Sequence, residues 1–229
     1  MEGRSVKPAV VFDLDGTLVD SAAAIRDIAN IQMAELGLDQ LTLAEARSYI
    51  GNGAPTFLER ALKARYAYAL EQFEERLHRF EELYAQAPGE ANIPFPGVGA
   101  AMRALVEAGH SIALCTNKPL APTLVLLDAH GWRELFTAIV SGDTLPERKP
   151  HPAPLIEAAR RAGAGPVVYV GDSEVDVATA DAAGVPLLLY AGGYRKTPLA
   201  ELKHAAAFDD FAEVPSLVAR HAREIAITA

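Results

Sequence analysis

Val10-Val11-Phe12-Asp13-Leu14-Asp15-Gly16-Thr17-Leu18-Val19-Asp20-Ser21 joins an apolar run to two carboxylates, one residue apart, and a Gly-Thr turn. The run from Lys7 to Phe12 is short and apolar with β-branched residues, the pattern of a strand buried on both faces of a parallel sheet. Asp13 then falls at the carboxyl end of that strand, where open α/β sheets bind their ligands. Gly16 permits a tight turn that a Cβ would hinder. Asp13 and Asp15 share one side of an extended chain. A lone Asp-x-Asp more often caps a turn or a helix. The alternative is chemical: a carboxylate can attack a phosphate ester and split its hydrolysis into two easier steps through an aspartyl phosphate.

Three further segments decide in favour of the chemistry. Ser111-Ile112-Ala113-Leu114-Cys115 ends in Thr116-Asn117-Lys118-Pro119, so a hydroxyl and backbone N–H donors stand at a strand end, where they suit phosphate oxygens. Glu147-Arg148-Lys149-Pro150-His151-Pro152 holds Lys149 among turn residues, and an ammonium there acts as a point charge on a transferring group. Val167-Val168-Tyr169-Val170 runs into Gly171-Asp172-Ser173-Glu174-Val175-Asp176, which adds two more carboxylates. A shared site accounts for all four segments at once.

In this order and setting, the four segments resemble the haloacid dehalogenase superfamily of aspartate-nucleophile phosphatases. Asp13 to Ser21 resembles its first motif, Thr116-Asn117 the second, Lys149 the third, and Asp172 with Asp176 the fourth. The narrower resemblance is to bacterial phosphoglycolate phosphatases. It rests on the first motif, on Ile50-Gly51-Asn52-Gly53-Ala54-Pro55 leading into Leu58-Glu59-Arg60-Ala61-Leu62, and on Thr116-Asn117-Lys118-Pro119. The resemblance implies a Rossmann-like α/β core with a parallel sheet, interrupted by an inserted all-helical cap. The expected boundaries put the core at residues 1–19 and 93–229 and the cap at 20–92.

Charge demands a cation at such a site. Two carboxylates about 4 Å apart repel by roughly 4 kcal/mol at an effective dielectric of about 20. Lys149 is one positive charge against Asp13, Asp15, Asp172 and Asp176. Hard oxygen ligands with open positions favour Mg²⁺. The resemblance implies as ligands a side-chain oxygen of Asp13, the backbone carbonyl of Asp15, and Asp172, with Asp176 orienting groups around the metal or Lys149. Asp13 is the expected nucleophile and Asp15 the proton carrier, while Lys149, Thr116 and Asn117 are expected to hold the phosphoryl group.

Helical spacing marks the insertion. Ile25, Ile28, Ala29, Gln32, Met33 and Leu36 follow Ser21 as a candidate N-cap, and Gly37 ends that helix. Leu58, Ala61, Leu62 and Arg65 mark another, and Leu70, Phe73, Leu77, Phe80 and Tyr84 a third. No strand is evident there. Gly51, Asn52 and Gly53 are expected to approach a small substrate, with Arg47, Arg60 and Lys63 as candidate partners for its carboxylate. From Pro88 to Gly99 the chain turns Pro- and Gly-rich, and afterwards strands near Ser111, Ala138, Val167, Leu187 and Ala206 alternate with helices.

The 229 residues suffice for one α/β domain with an insertion. A net charge of −9 argues against nucleic acid or an anionic membrane as partner. Cys115 is the single cysteine and reads as a small core residue. No signal segment or bilayer-length apolar run stands out, so the expected address is the cytoplasm. The expected function is a Mg²⁺-dependent phosphomonoesterase of small anionic metabolites, with 2-phosphoglycolate as the implied substrate. The alternatives are a phosphosugar mutase, a broad sugar phosphatase, and a non-catalytic phosphate-binding regulator.

Overall fold

The computed structural model describes residues 7–163 and 165–224. In chain order, β1 (Ala9–Phe12) and the short β2 (Val19–Asp20) precede four helices, α1 (Ala22–Glu35), α2 (Leu43–Tyr49), α3 (Ala54–Lys63) and α4 (Leu70–Gln86). The short β3 (Ile93–Pro94) returns the chain to α5 (Val98–Glu107), β4 (Ile112–Cys115), α6 (Leu120–Ala129), β5 (Phe136–Val140) and α7 (Ala153–Ala162). The order then continues with β6 (Pro166–Gly171), α8 (Glu174–Ala183), β7 (Leu187–Tyr190), β8 (Ala206–Phe208), α9 (Val214–His221) and β9 (Arg223–Glu224).

Six strands pair in parallel in the order β5-β4-β1-β6-β7-β8, and β9 adds an antiparallel pairing to β6. Alternation along each strand explains the two faces. Val10, Phe12, Leu114, Val168 and Val170 point into one apolar layer, closed by α5 and α9. Val11, Ala113, Cys115, Tyr169 and Leu189 point into the other, closed by α7 and α8. A strand covered on both sides needs apolar residues at every position, which is why β1 and β4 read as unbroken apolar runs. Because β1 lies between β4 and β6, the residues that follow these three strands emerge side by side at one sheet edge.

The helices α1 to α4 pack around a separate apolar cluster that includes Ile28, Met33, Phe57, Leu58, Leu62 and Phe80. Helix α4 also packs against α6 of the sheet layer. Its apolar stripe is buried progressively toward that end: Leu70 is exposed, Phe73 and Leu77 are half-buried, and Phe80 and Tyr84 are buried. Three features depart from the sequence expectations. Strands β2 and β3 pair antiparallel where the chain leaves and rejoins the sheet layer, two residues each and too short to leave a periodic signal. Helix α2 starts at a capping box, with Glu45 N–H donating to Thr42 Oγ1 and Thr42 N–H to Glu45 Oε2. Ser21 stands at the N-cap of α1, but its hydroxyl caps nothing; Ala22 N–H donates instead to Asp20 Oδ1 and to the Tyr194 phenol. The ends of the expected core range, residues 1–6 and 225–229, lie outside the described residues. Among the described residues, no helix is long and apolar enough to cross a membrane.

Candidate active site

Strand β1 extends its ladder one residue, with Asp13 N–H donating to Val170 O at 2.9 Å, and then turns. Leu14 O accepts from the N–H groups of Thr17, Leu18 and Val19, and Gly16 N–H donates to Val19 O. Gly16 has φ +88°, and a Cβ there would lie 2.5 Å from Asp172 Oδ2. Glycine is therefore required both by the backbone and by the approach of the second strand end. Asp172 follows β6; its Oδ1 accepts from Thr17 Oγ1 at 2.7 Å and its Oδ2 from Tyr194 N–H at 2.7 Å.

Lys149 reaches the same place from the loop between β5 and α7. Its Nζ lies 2.8 Å from Asp13 Oδ1 and 2.8 Å from Asp176 Oδ1, and it donates to the Tyr169 hydroxyl at 2.9 Å. Asp176 is fully engaged: Oδ1 also accepts from Tyr169 OH, and Oδ2 accepts from the N–H groups of Asp172 and Ser173 and from Ser173 Oγ. Asn117 ties three segments together. Its amide donates to Gly51 O and Lys149 O, while its Oδ1 accepts from Lys149 N–H at 2.9 Å. Thr116 is buried at the end of β4, and its hydroxyl accepts from Lys118 N–H.

Burial dominates the protonation of this cluster. It pushes Asp13 up to about 7, with Asp176 adding to the shift and Lys149 opposing it. Asp172 is held well above the ordinary carboxylate value by burial, and then by Asp176 and Asp13. For Asp176 burial acts in the same direction, but Lys149, Tyr169 and Ser173 outweigh it and the carboxylate stays ionised below its ordinary value. Burial alone would lower Lys149, and the two aspartates outweigh it and raise the ammonium. Burial pushes the Cys115 thiol up to about 12, in keeping with an inert core residue.

Asp13, Asp172 and Asp176 offer carboxylate oxygens within 4.8 Å of one another, and this cluster could hold a metal ion. Asp176 has no capacity left for one, since its oxygens already take five hydrogen bonds or ion contacts. Asp13 and Asp172 are buried carboxylates that lack enough positive charge nearby, and a divalent cation supplies it. The donor set fits a hard cation.

The structure brings Asp13, Asp15, Thr116, Asn117 and Lys149 to the wall of one cavity, together with Gly51 and Gly53. Asn52, Arg60 and Asp172 line a second cavity that shares Asp13 and Asp15. Arg60 is committed to Tyr49 O and Asn52 Oδ1. Arg47 pairs with Asp20 away from the first cavity, and Lys63 pairs with Glu59 on the surface. Four participants escaped the sequence reading. Thr17 and Tyr169 were in quoted segments, where nothing distinguished their hydroxyls from turn or core groups. Tyr194 gives no periodic signal; its phenol accepts from Ser21 N–H and Ala22 N–H and donates to Asp20 Oδ1 at 2.6 Å, at the start of the helical insertion. Lys118, beside the Thr116-Asn117 pair, is buried with its Nζ 3.1 Å from Asp15 Oδ1 and also donates to the Tyr84 hydroxyl of α4.

Comparison with known proteins agrees with this geometry. The model of the haloacid dehalogenase-like hydrolases matches residues 7–184. A phosphoglycolate phosphatase of Cereibacter sphaeroides is 46% identical over 214 residues, which cover 93% of this chain and 98% of that protein. One of Rhodobacter capsulatus is 41% identical over 217 residues, 92% of this chain and 96% of its own. Among solved structures, a predicted phosphoglycolate phosphatase from Haemophilus somnus superposes with a TM-score of 0.82 at 29% identity, covering 94% of this chain and 99% of that one. CbbY from Rhodobacter sphaeroides, solved in complex with phosphate, superposes with a TM-score of 0.73 at 26% identity, covering 91% and 96%.

Proposed function

This chain belongs to the haloacid dehalogenase-like hydrolases, and within that family we propose that it is a Mg²⁺-dependent phosphatase that hydrolyses 2-phosphoglycolate to glycolate and phosphate. The observation that carries the reading is the contact of Lys149 with Asp13, at 2.8 Å, inside a cavity that Asp15 and Thr116 also line. A nucleophile, a second carboxylate and a cation for the phosphoryl oxygens share that space.

Asp13 attacks phosphorus in line, so that an Asp13 oxygen–phosphorus bond forms as the ester oxygen–phosphorus bond breaks. Asp15 protonates the departing alkoxide, then takes a proton from the water that cleaves the aspartyl phosphate. Lys149, the Thr116 hydroxyl and backbone N–H groups at the strand ends stabilise the equatorial oxygens. Asp176 acts through Lys149, fixing the ammonium against Asp13. Asp13, the Asp15 carbonyl and Asp172 would hold Mg²⁺, which supplies Lewis-acid stabilisation of the phosphoryl oxygens. Residues 20–92 are the cap, and their closure over Asp13 excludes bulk water.

Two features favour a small acid over a hexose phosphate. The relatives at 41% and 46% identity are phosphoglycolate phosphatases. Beside the Tyr84 hydroxyl, which Lys118 already engages, the cap side of the Asp13 cavity is built from Ile25, Ala54, Phe57 and Phe80. These side chains leave the hydroxyls of a sugar without partners, and an unpaired buried hydroxyl is costly. The test is phosphate release from a panel containing 2-phosphoglycolate and hexose phosphates, with Mg²⁺ and with EDTA, against Asp13→Asn. Metal-dependent release that prefers 2-phosphoglycolate and vanishes in the variant is expected. Release that persists in Asp13→Asn, or that ignores EDTA, refutes the mechanism.

A further inference from the structure

Two buried lysines face the cavity above Asp13 and Asp15, and their surroundings differ. Lys149 has a permanent counter-ion, because Asp176 is wholly buried and touches no cavity wall. Lys118 has none of that kind. Its side chain is 1% exposed, and the carboxylate it meets is Asp15, which the reaction needs as a proton carrier. Its other acceptor is the neutral phenol of Tyr84, whose ring also lies under the ammonium at 4.5 Å. An ammonium carries three protons, and these two groups accept two of them. A desolvated cation in this state has unused capacity for an anion, and the cavity is where an anion can arrive.

We infer that Lys118 and Tyr84 form the subsite for the substrate's carboxylate, so that Lys118 is a specificity-determining residue for acids of two or three carbons. This rests on the phosphatase reading and assigns the far end of the same substrate. The cavity is lined by both cations, and each meets a different carboxylate. Lys149 stands beside the nucleophile, where the phosphoryl group must lie, and Lys118 stands beside Asp15. Apart from Tyr84, the cap wall of the cavity is apolar, with Ile25, Phe57 and Phe80, so a carboxylate there has no competing partner of equal strength. When it binds, Lys118 changes partner from Asp15 to the substrate, and the Asp15 carboxyl is released to face the ester oxygen.

The subsite also joins the two halves of the molecule. Lys118 comes from the loop after β4, held by its own carbonyl accepting from Gly142 N–H at 2.8 Å, whereas Tyr84 comes from α4 of the helical insertion. An anion held by both is complete only when the cap is closed. A ligand without a carboxylate leaves Lys118 on Asp15 and loses both effects. The lysine is thus distinct from Arg47, Arg60 and Lys63, the cap cations, each of which has another partner in the structure.

The test compares 2-phosphoglycolate with 2-hydroxyethyl phosphate, which replaces the carboxylate by a hydroxymethyl group and keeps the ester. Wild-type kcat/KM should favour the acid by roughly 10- to 100-fold, the range for one charge-assisted hydrogen bond. Lys118→Met should erase that preference, lowering kcat/KM for the acid, chiefly through KM, well beyond any loss on the hydroxyethyl ester. Tyr84→Phe should shrink the preference in the same direction. Equal losses on both esters would make Lys118 a structural or catalytic group and overturn the inference. So would a wild type that does not distinguish the two esters, a result that needs no variant to fold. If the wild type releases phosphate from neither, the phosphatase reading itself fails, and the subsite falls with it.

Discussion

Lys149 and Asp176 lie 27 residues apart in the chain and 2.8 Å apart in the site, with the Asp176 side chain wholly buried. The pair fixes the ammonium from behind, leaving its other side to Asp13. Breaking one partner of a buried pair leaves an uncompensated charge or an unmatched donor. Asp176→Asn also turns one of its oxygens into an NH₂ that faces the donors Ser173 N–H and Asp172 N–H, or Lys149 and Tyr169. The expected result is a loss of about 3–5 kcal/mol in stability. Turnover should fall by about 10- to 100-fold. Urea denaturation and steady-state kinetics measure both, and a variant of wild-type turnover would show that Asp176 does not position Lys149.

Tyr194 connects Asp172 to the start of the helical insertion through two different groups. Its N–H holds Asp172, and its phenol holds Asp20, Ser21 and Ala22. Tyr194→Phe removes the second set alone. Two backbone N–H groups and Asp20 then lose a partner, at a cost of about 1–3 kcal/mol. Mg²⁺ affinity, measured by calorimetry on the same variant, should be unchanged because the backbone contact to Asp172 survives. A parallel fall in affinity would mean that the phenol supports the metal site as well.

Much of this site was legible because parallel strands end on the same side. Once the runs ending at Phe12, Cys115 and Gly171 are read as neighbouring strands, Asp13, Thr116 and Asp172 must converge, and they do. Lys149 has no such argument, since a loop can point anywhere, and its place came through family resemblance. Helix α2 went unread although Thr42 and Glu45, three residues apart, carry its capping box. Lys118 and Tyr194 were not readable in this way: their partners Asp15 and Asp20 are 103 and 174 residues distant, and the contacts depend on how a loop and the start of the helical insertion sit over the sheet edge. Hydroxyls such as Tyr169 are hidden by a different cause, because an aromatic in an apolar strand is read as core until its polar tip is seen.

Acid should weaken the contacts of Asp20 at the start of the helical insertion. Burial tends to raise Asp20, but the Tyr194 phenol, the Ala22 N–H and Arg47 outweigh it, and the carboxyl titrates below its ordinary value of 3.8. A depressed carboxyl binds fewer protons in the folded than in the unfolded chain, so its contribution is complete above the unfolded value and disappears as pH falls through the folded one. The stability gap between wild type and Asp20→Asn should therefore be complete at pH values above 3.8 and narrow as the pH falls below it. Urea midpoints at several pH values measure it; a gap that widens on acidification would reverse the assigned sign.

Asp172→Asn should change the order of stability according to metal. In the metal-free protein Asp172 is a buried carboxylate near Asp13 and Asp176, held well above its ordinary value by burial and by their charges. The amide is accommodated without loss: its oxygen can accept from Tyr194 N–H, and its NH₂ can donate to Thr17 Oγ1 once that hydroxyl rotates. Removing the charge then relieves repulsion, and the variant should be more stable than wild type in EDTA by on the order of 1 kcal/mol. Saturating Mg²⁺ reverses this, because a ligand at 100 times its Kd stabilises the protein that binds it by about 2.7 kcal/mol, and the variant has lost a ligand. Thermal melts of both proteins in EDTA and in Mg²⁺ should therefore cross. Curves that keep the same order in both buffers would place the cation elsewhere than between Asp13 and Asp172.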